Sequence, residues 1–446
     1  MSEWTTDSNQ ALHLQFVRAV EDVTPDEGHL TDEFHPKFTY PIFGEEEKIY
    51  GYEDLVIKLY MASGSLRQYV SISQSARLTG TAIDDPENTL YQYLPDDRIT
   101  DEASFKKQVE EDAINFKPMG EKIHSYVRKK GGRKGKDPRD RVIKRPQAEI
   151  NEDDPDAITY EVYHVNWSTP GFLEFHRRMQ IFILLYIEAG SYIQEDEEKW
   201  EFVTLFERRK RKDGTFVYHF IGYSSLYPFY FFPESTRLRL SQFVIAGPYQ
   251  QQGHGAALYQ AIHNFVIKSP RYAELTVEDP SEDFEDLRDK VDLRMLLAHK
   301  EFIREAYGTH DEQMATPLLG KQLGNATVKI VVEAEGKGSG KTKTKSSNVA
   351  MLGPPTKPKW AERWRKELKF AKRQYERLIE MLILRALDPA DEAAQRAFRL
   401  QVKARIKAFN FETLMQLDQE EQYDKLEETF QSVKEGYERI LGLMKP

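Results

Sequence analysis

In Arg239-Leu240-Ser241-Gln242-Phe243-Val244-Ile245-Ala246-Gly247-Pro248-Tyr249-Gln250-Gln251-Gln252-Gly253-His254-Gly255-Ala256-Ala257-Leu258 the sequence changes character twice. It opens as a strand, because Leu240, Phe243, Val244 and Ile245 supply the β-branched and aromatic bulk that a pleated backbone favours. Gly247-Pro248 breaks the strand. After Gly253 and Gly255, apolar residues fall at Leu258, Ile262 and Phe265, with Ala261 and Val266 beside them, which is helical spacing. Strand, glycine turn and helix in that order aim backbone N–H groups at an anion. The first N–H groups of a helix lack internal partners, and the helix dipole adds positive potential there. Gly253 and Gly255 have no side chain to hold a phosphate away. The stretch predicts a phosphate cradle for a nucleotide-like cofactor.

Three readings of these glycines compete. One is a plain turn at a helix start. Another is a dinucleotide fold, since Gly253-His254-Gly255 follows the G-x-G-x-x-G pattern and Glu274 and Glu278 come after it. Against that reading, Leu258 stands where the third glycine belongs and the turn comes well after the strand ends. The third is a coenzyme A site, written here as Gln250-x-x-Gly253-x-Gly255.

Together with Ser241-Gln242-Phe243-Val244-Ile245 before it and Thr276-Val277-Glu278-Asp279-Pro280-Ser281 after it, this motif resembles the type B histone acetyltransferase catalytic subunits of the GNAT superfamily. Leu287-Arg288-Asp289, Phe43-Gly44-Glu45-Glu46-Glu47, Gly51-Tyr52 and Trp200 before the strand 201–206 extend the resemblance, which runs to about Leu318. It implies an α+β GNAT acetyltransferase fold with an N-terminal mixed α/β domain and a C-terminal helical bundle. The activity it implies is acetyl transfer from acetyl-CoA to lysines in the N-terminal tail of newly made histone H4, in support of chromatin assembly. It further implies a WD-repeat histone chaperone as partner, Glu278 as the base, and Ser281 and Lys290 at positions that contact the cofactor. The alternative class is a non-catalytic acetyl-CoA-binding or histone-chaperone scaffold, against which Glu278 counts.

Acetyl transfer from a thioester to an amine makes three demands. Pantetheine amides need a strand edge, a role that fits Phe243, Val244 and Ile245. The pyrophosphate needs N–H groups, which Gln250, Gln251, Gln252, Gly253, His254, Gly255 and Ala256 can offer. A lysine is protonated at neutral pH and must lose a proton before it attacks. Glu278, at a predicted strand end in an aromatic-rich region, is the expected base, and burial there would raise its pKa. Asp279 and Glu188 are the alternates. For substrate, Glu45, Glu46 and Glu47 read as an acidic hairpin tip that could attract lysines. Trp200, Tyr227, Pro228 and Phe229 read as an aromatic wall for a peptide. Lys290 could meet a phosphate. His254 and His263 have no partners at metal-ligand spacing, so no metal is expected.

Composition bounds the partners. The 446 residues carry a formal net charge of −10, a poor basis for DNA binding, which draws its affinity from neutralised phosphates. The balance suits a basic protein partner better. No sequence-specific DNA contact is expected. The absence of cysteine excludes disulfides, cysteine catalysis and thiolate metal sites. The first residues lack a signal-peptide pattern, and the apolar run 181–187 is too short to span a bilayer, so no membrane association is expected. A location in cytoplasm and nucleus follows as an expectation.

Along the chain, an N-terminal domain is expected over 1–155, with a basic insertion loop near 128–150. The catalytic domain is expected over 156–318, a low-complexity linker over 333–358 and a helical domain over 359–446. Phe38 to Phe43 reads as a strand. The segment 172–187 reads as one helix, as does the stripe Trp360, Trp364, Leu368, Ala371, Tyr375, Leu378 and Leu382. Tyr423, Leu426, Phe430, Val433, Tyr437 and Ile440 mark a further helix.

Overall fold

The computed structural model describes residues 4–23, 28, 30–80, 82–129, 157–308 and 350–444. The chain divides into two units. The first runs to Phe265 and takes in Val277–Asp279; the second takes Val266–Thr276 and everything from Pro280. Most of the expected basic loop lies outside the described residues, although Arg128 and Lys129 are in a strand. The expected linker lies outside them up to residue 349.

The first unit holds two main sheets besides two small two-stranded ones. Strands β1 (Leu12–Val17), β2 (Val56–Ala62) and β3 (Gln68–Ser73) form the smaller one, with β1 parallel to β2 and β3 antiparallel to it. Leu12, Leu14 and Phe16 are buried while the residues between them are partly exposed, the period of two that a strand imposes. Helix α1 (Glu102–Asn115) starts where the Asp101 side chain accepts the Ser104 N–H. It buries Phe105, Val109 and Ala113, four residues apart on one face. Phe105 and Val109 close over Ala62.

The larger sheet carries the site. Strands β4 (Glu121–Lys129), β5 (Ala157–Asn166), β6 (Glu201–Lys210), β7 (Phe216–Phe231) and β8 (Ser235–Ile245) pair antiparallel, each with the next. Between β5 and β6 the single helix expected over 172–187 is two, α2 (Phe172–Met179) and α3 (Ile181–Tyr186). Ile181 to Leu185 are all buried. A straight helix offers the core one stripe only, so burying five consecutive residues goes with a break at Gln180. The turn Lys212-Asp213-Gly214 joins β6 to β7, with Gly214 at φ +86° and the Asp213 carboxylate accepting the Thr215 N–H. After β8 come helix α4 (His254–Lys268) and strand β9 (Tyr272–Val277).

Phe38 to Phe43 is not a strand. Tyr40–Phe43 is one helical turn with Pro41 near its start, where a missing N–H costs nothing. The Glu47 carboxylate accepts the N–H groups of Thr39 (2.7 Å) and Tyr40 (3.1 Å) and so holds the turn from outside.

The second unit is a helical bundle: α5 (Glu282–Ala298), α6 (Lys300–Tyr307), α7 (Pro358–Glu367), α8 (Lys372–Ala386), α9 (Glu392–Phe409) and α10 (Gln419–Leu443). Leu293, Phe302, Trp364, Leu378, Leu382, Phe398 and Phe430 share one core. The stripe expected as one helix is split between α7 and α8. Leu275 N–H donates to Lys369 C=O (2.9 Å) and Leu275 bridges Phe370, so this backbone is extended to pair with β9. Tyr423 is 62% exposed and lies off the buried face of α10.

Buried Glu380 accepts from Arg405 Nε (2.8 Å) and from the Tyr437 hydroxyl (2.7 Å). Glu380→Ala strands both donors and is expected to destabilise this unit by about 3 kcal/mol. Urea unfolding followed by circular dichroism would show it; an unchanged midpoint would mean the network is dispensable.

Candidate functional site

The turn expected to cradle a phosphate begins at the end of β8. Phe243, Val244 and Ile245 pair with Ser224, Tyr223 and Gly222 of β7. Gly222 is needed there, because a Cβ would lie 2.3 Å from the Val244 carbonyl oxygen. A short 3-10 turn, Gly247–Tyr249, leads into the glutamines. Gln251 (φ +57°) and Gly253 (φ +80°) both take left-handed backbone. Gln250 Nε2 donates to Ile245 C=O (2.8 Å) and Gln252 Nε2 to Pro248 C=O (2.5 Å). These two amides therefore brace the loop from inside. The Ala257 N–H reaches back from the helix to Gly253 C=O (3.2 Å). No residue of 250–256 is acidic. Consecutive backbone N–H groups at a helix start, with no carboxylate among them, are a donor set that fits a pyrophosphate.

Glu278 follows β9. Its N–H donates to Leu240 C=O (2.9 Å), which lays it beside β8. There β8 has one residue too many: Ser225 of β7 faces Gln242 and Leu226 faces Leu240, so Ser241 is bulged out. A bulge re-aims a side chain. The Ser241 hydroxyl donates to Glu278 Oε2 (2.5 Å), and Arg239 Nη2 lies 3.2 Å from Oε1. The burial expected for Glu278 is not found, since its side chain is 36% exposed and has a guanidinium beside it. Asp279, the first alternate, is exposed at φ +30°. Glu188, the second, is also exposed. Its loop is tied down by Ala189 N–H to the Tyr40 hydroxyl (2.6 Å) and by Gln242 Nε2 to Ser191 C=O (2.9 Å). Gln242 adjoins the bulge, so one short piece of β8 supports both Glu278 and the loop that carries Glu188.

An aromatic track leads to Glu278. The Trp200 and Tyr227 rings meet edge to face at 4.9 Å, and Tyr227 and Phe229 lie 4.7 Å apart. The Arg239 guanidinium covers Phe229 at 4.2 Å. Tyr227 pairs with Arg239 across the hairpin, so their side chains share a face of the sheet. Pro228 lies between Tyr227 and Phe229 and by strand alternation belongs to the other face. The Trp200 indole nitrogen is buried without a partner, which leaves a donor on this track. The Tyr227 hydroxyl donates to Glu197 (2.5 Å).

The acidic trio divides. Glu45 and Glu46 are exposed, and Glu46 pairs with Lys48 (3.2 Å). Glu47 is engaged within the chain by Thr39, Tyr40 and Asn9. Burial disfavours its charge, but hydrogen bonds from the Thr39 N–H, the Asn9 amide and the Tyr40 N–H outweigh this and hold its pKa below the usual range. Ser281 and Lys290 belong to the second unit. The Ser281 hydroxyl caps α5 through the Phe284 N–H (3.4 Å), and Lys290 is half-buried on α5, where burial lowers its pKa. Among the described residues no three His, Asp or Glu side chains gather in a metal-binding group.

Sequence reasoning passed over Ser241 and Arg239 as partners of Glu278. Both stand in the stretch 239–258. Their roles depend on the β7–β8 register and its bulge, which no local pattern announces. The arrangement of bulged strand, glycine turn, helix and a following carboxylate is that of the GNAT N-acetyltransferases.

Residues 4–188 match the family model described as "Histone acetyl transferase HAT1 N-terminus", and residues 342–388 match "Fungal HAT1, C-terminal". The chain is 46% identical to the histone acetyltransferase type B catalytic subunit of Cryptococcus neoformans var. neoformans serotype D, over 99% of this chain and 98% of that one. The corresponding protein of Mycosarcoma maydis is 42% identical over 92% and 83% of the two chains, and the human one 27% identical over 99% and 94%. The chain belongs to the family of type B histone acetyltransferase catalytic subunits.

Proposed function

We propose that this chain acetylates lysines of the histone H4 tail with Glu278 as general base and the turn 250–256 as the holder of the acetyl-CoA pyrophosphate. Histone acetyltransferase activity and use of acetyl-CoA come with the family; the residue roles are the proposal. The observation that carries it is the Glu278 carboxylate, fixed by Ser241 and Arg239 at the end of the aromatic track and beside β8. Bound acetyl-CoA supplies the thioester. Phe243, Val244 and Ile245 are proposed to receive its pantetheine arm, and Gly253 to Ala256 to meet its phosphates. Ser281 and Lys290 are proposed as further cofactor contacts. Trp200, Tyr227 and Phe229 are proposed to line the path of the lysine side chain, with Pro228, on the other face, outside it. Glu278 then takes the ammonium proton, directly or through water, and the amine can attack.

In the cell, the proposal places the enzyme with a WD-repeat histone chaperone, in cytoplasm and nucleus, working on new H4 during chromatin assembly. Incubation of the full chain with acetyl-CoA and an H4 tail peptide, read by mass spectrometry, tests the function. Acetyl groups on tail lysines are expected; a peptide left unmodified by folded, cofactor-bound protein would oppose it.

Exposed Glu45 and Glu46 are proposed to attract the basic tail. Neutralising both to Gln should raise KM for the tail peptide about two- to fivefold at low salt, and the difference should vanish as salt screens exposed charges. An unchanged KM, or a change that salt does not touch, would make them an ordinary solvated turn. Glu47 is left out of this variant, because its loss would disturb the turn it holds.

A further inference from the structure

Arg128, near the end of β4, plays no part in the roles above. Its Nη1 donates to the Gln252 carbonyl at 2.6 Å and its Nη2 to the Gly253 carbonyl at 3.2 Å. The guanidinium lies over the rings of Tyr126 (4.8 Å) and Tyr160 (5.6 Å). Those rings stack at 5.0 Å and pair across β4 and β5. Tyr126 Oη shares a hydrogen bond with Nδ1 of buried His254 (2.8 Å), whose ring is 4.7 Å from Tyr160. One face of β4 and β5 thus grips three consecutive residues of the turn, Gln252, Gly253 and His254.

The grip has a consequence for the N–H groups. A trans peptide is planar, with its N–H pointing opposite to its C=O. The Gln252 carbonyl belongs to the same peptide unit as the Gly253 N–H, and the Gly253 carbonyl to the same unit as the His254 N–H. Holding both carbonyls on Arg128 aims both N–H groups to the opposite side. The turn contains left-handed backbone at Gln251 and Gly253, a conformation that a free chain samples among many others. A planar fork with parallel donors suits two adjacent carbonyls; an ammonium cannot reproduce that geometry.

We propose that Arg128 is a positioning residue of the cofactor site, which sets the Gly253 and His254 N–H groups toward the pyrophosphate of acetyl-CoA by holding the carbonyls behind them. The proposal rests on the reading of residues 250–256 as the phosphate cradle.

The test uses the full chain and two acetyl donors. Acetyl-CoA carries the pyrophosphate; S-acetylpantetheine lacks it. Arg128→Met should weaken acetyl-CoA binding, measured by calorimetry, by roughly 10- to 100-fold, the usual worth of a charged hydrogen-bonding group. Arg128→Lys should recover only part of that, and it also carries the test should the Met variant fold poorly. The KM for S-acetylpantetheine and the KM for the tail peptide should stay unchanged. Equal losses with both donors would overturn the proposal, since Arg128 would then support the sheet generally. Unchanged acetyl-CoA affinity in both variants would overturn it too. Failure of the cradle reading shows separately, as full acetyl-CoA affinity in folded Gly253→Glu.

Discussion

Glu278→Gln is expected to lower the acetylation rate by roughly 10²- to 10⁴-fold, the range that general-base catalysis contributes. Glutamine keeps the shape and can still accept from the Ser241 hydroxyl, which now donates to Glu278 Oε2. It cannot take a proton from a lysine ammonium. Acetyl-CoA affinity should barely change, because the loss falls in the transition state. Rapid-quench turnover at saturating donor, with calorimetry on the same protein, checks both halves. Near-normal turnover would hand the role to Asp279 or Glu188, whose loop is anchored to the same piece of β8 through Gln242. Loss of cofactor binding would make Glu278 structural.

Gly253→Glu is expected to remove measurable acetyl-CoA binding, a loss of at least roughly 100-fold. Two effects act together. Gly253 sits at φ +80°, where a side chain strains the backbone, and the new carboxylate enters the site proposed for phosphate. Gly253→Ala separates them: it carries the backbone penalty without the charge and should bind with an intermediate affinity. Calorimetry on variants with native circular dichroism provides the readout. Affinity retained in the Glu variant would remove the phosphates from this turn.

Much of the larger sheet was legible from residues alone. Leu240 to Ile245, the glycine turn and the apolar spacing of Leu258, Ile262 and Phe265 reported β8, the turn after it and α4, because strand and helix periods differ and glycine marks the change. What local pattern misses are features made by distant partners. Tyr40–Phe43 forms a helical turn because Glu47 accepts its N–H groups. The stripe from Trp360 to Leu382 is interrupted because Lys369 and Phe370 pair with Leu275, nearly a hundred residues earlier. Glu278 was found as a carboxylate at a strand end. Its surroundings were not, because Arg239 and Ser241 reach it only through the register of β8 and a bulge. Arg128 was read as part of a basic loop, although its neighbours Tyr126 and Tyr160 place it on a strand face beneath the cradle.

The account rests on a carboxylate that removes the lysine proton, and the pH dependence of a single turnover tests that most directly. Wild type and Glu278→Gln would be compared on the H4 tail peptide at saturating acetyl-CoA, from neutral pH to about pH 9.5, below the ordinary lysine pKa of about 10.4. Without a base, only the unprotonated fraction of lysine can react, and that fraction grows about tenfold per pH unit in this range. The mutant rate is expected to climb with this slope while the wild-type rate climbs less, so that the gap between them closes as pH rises. A mutant that runs parallel to wild type at every pH, whatever the size of the gap, would contradict it.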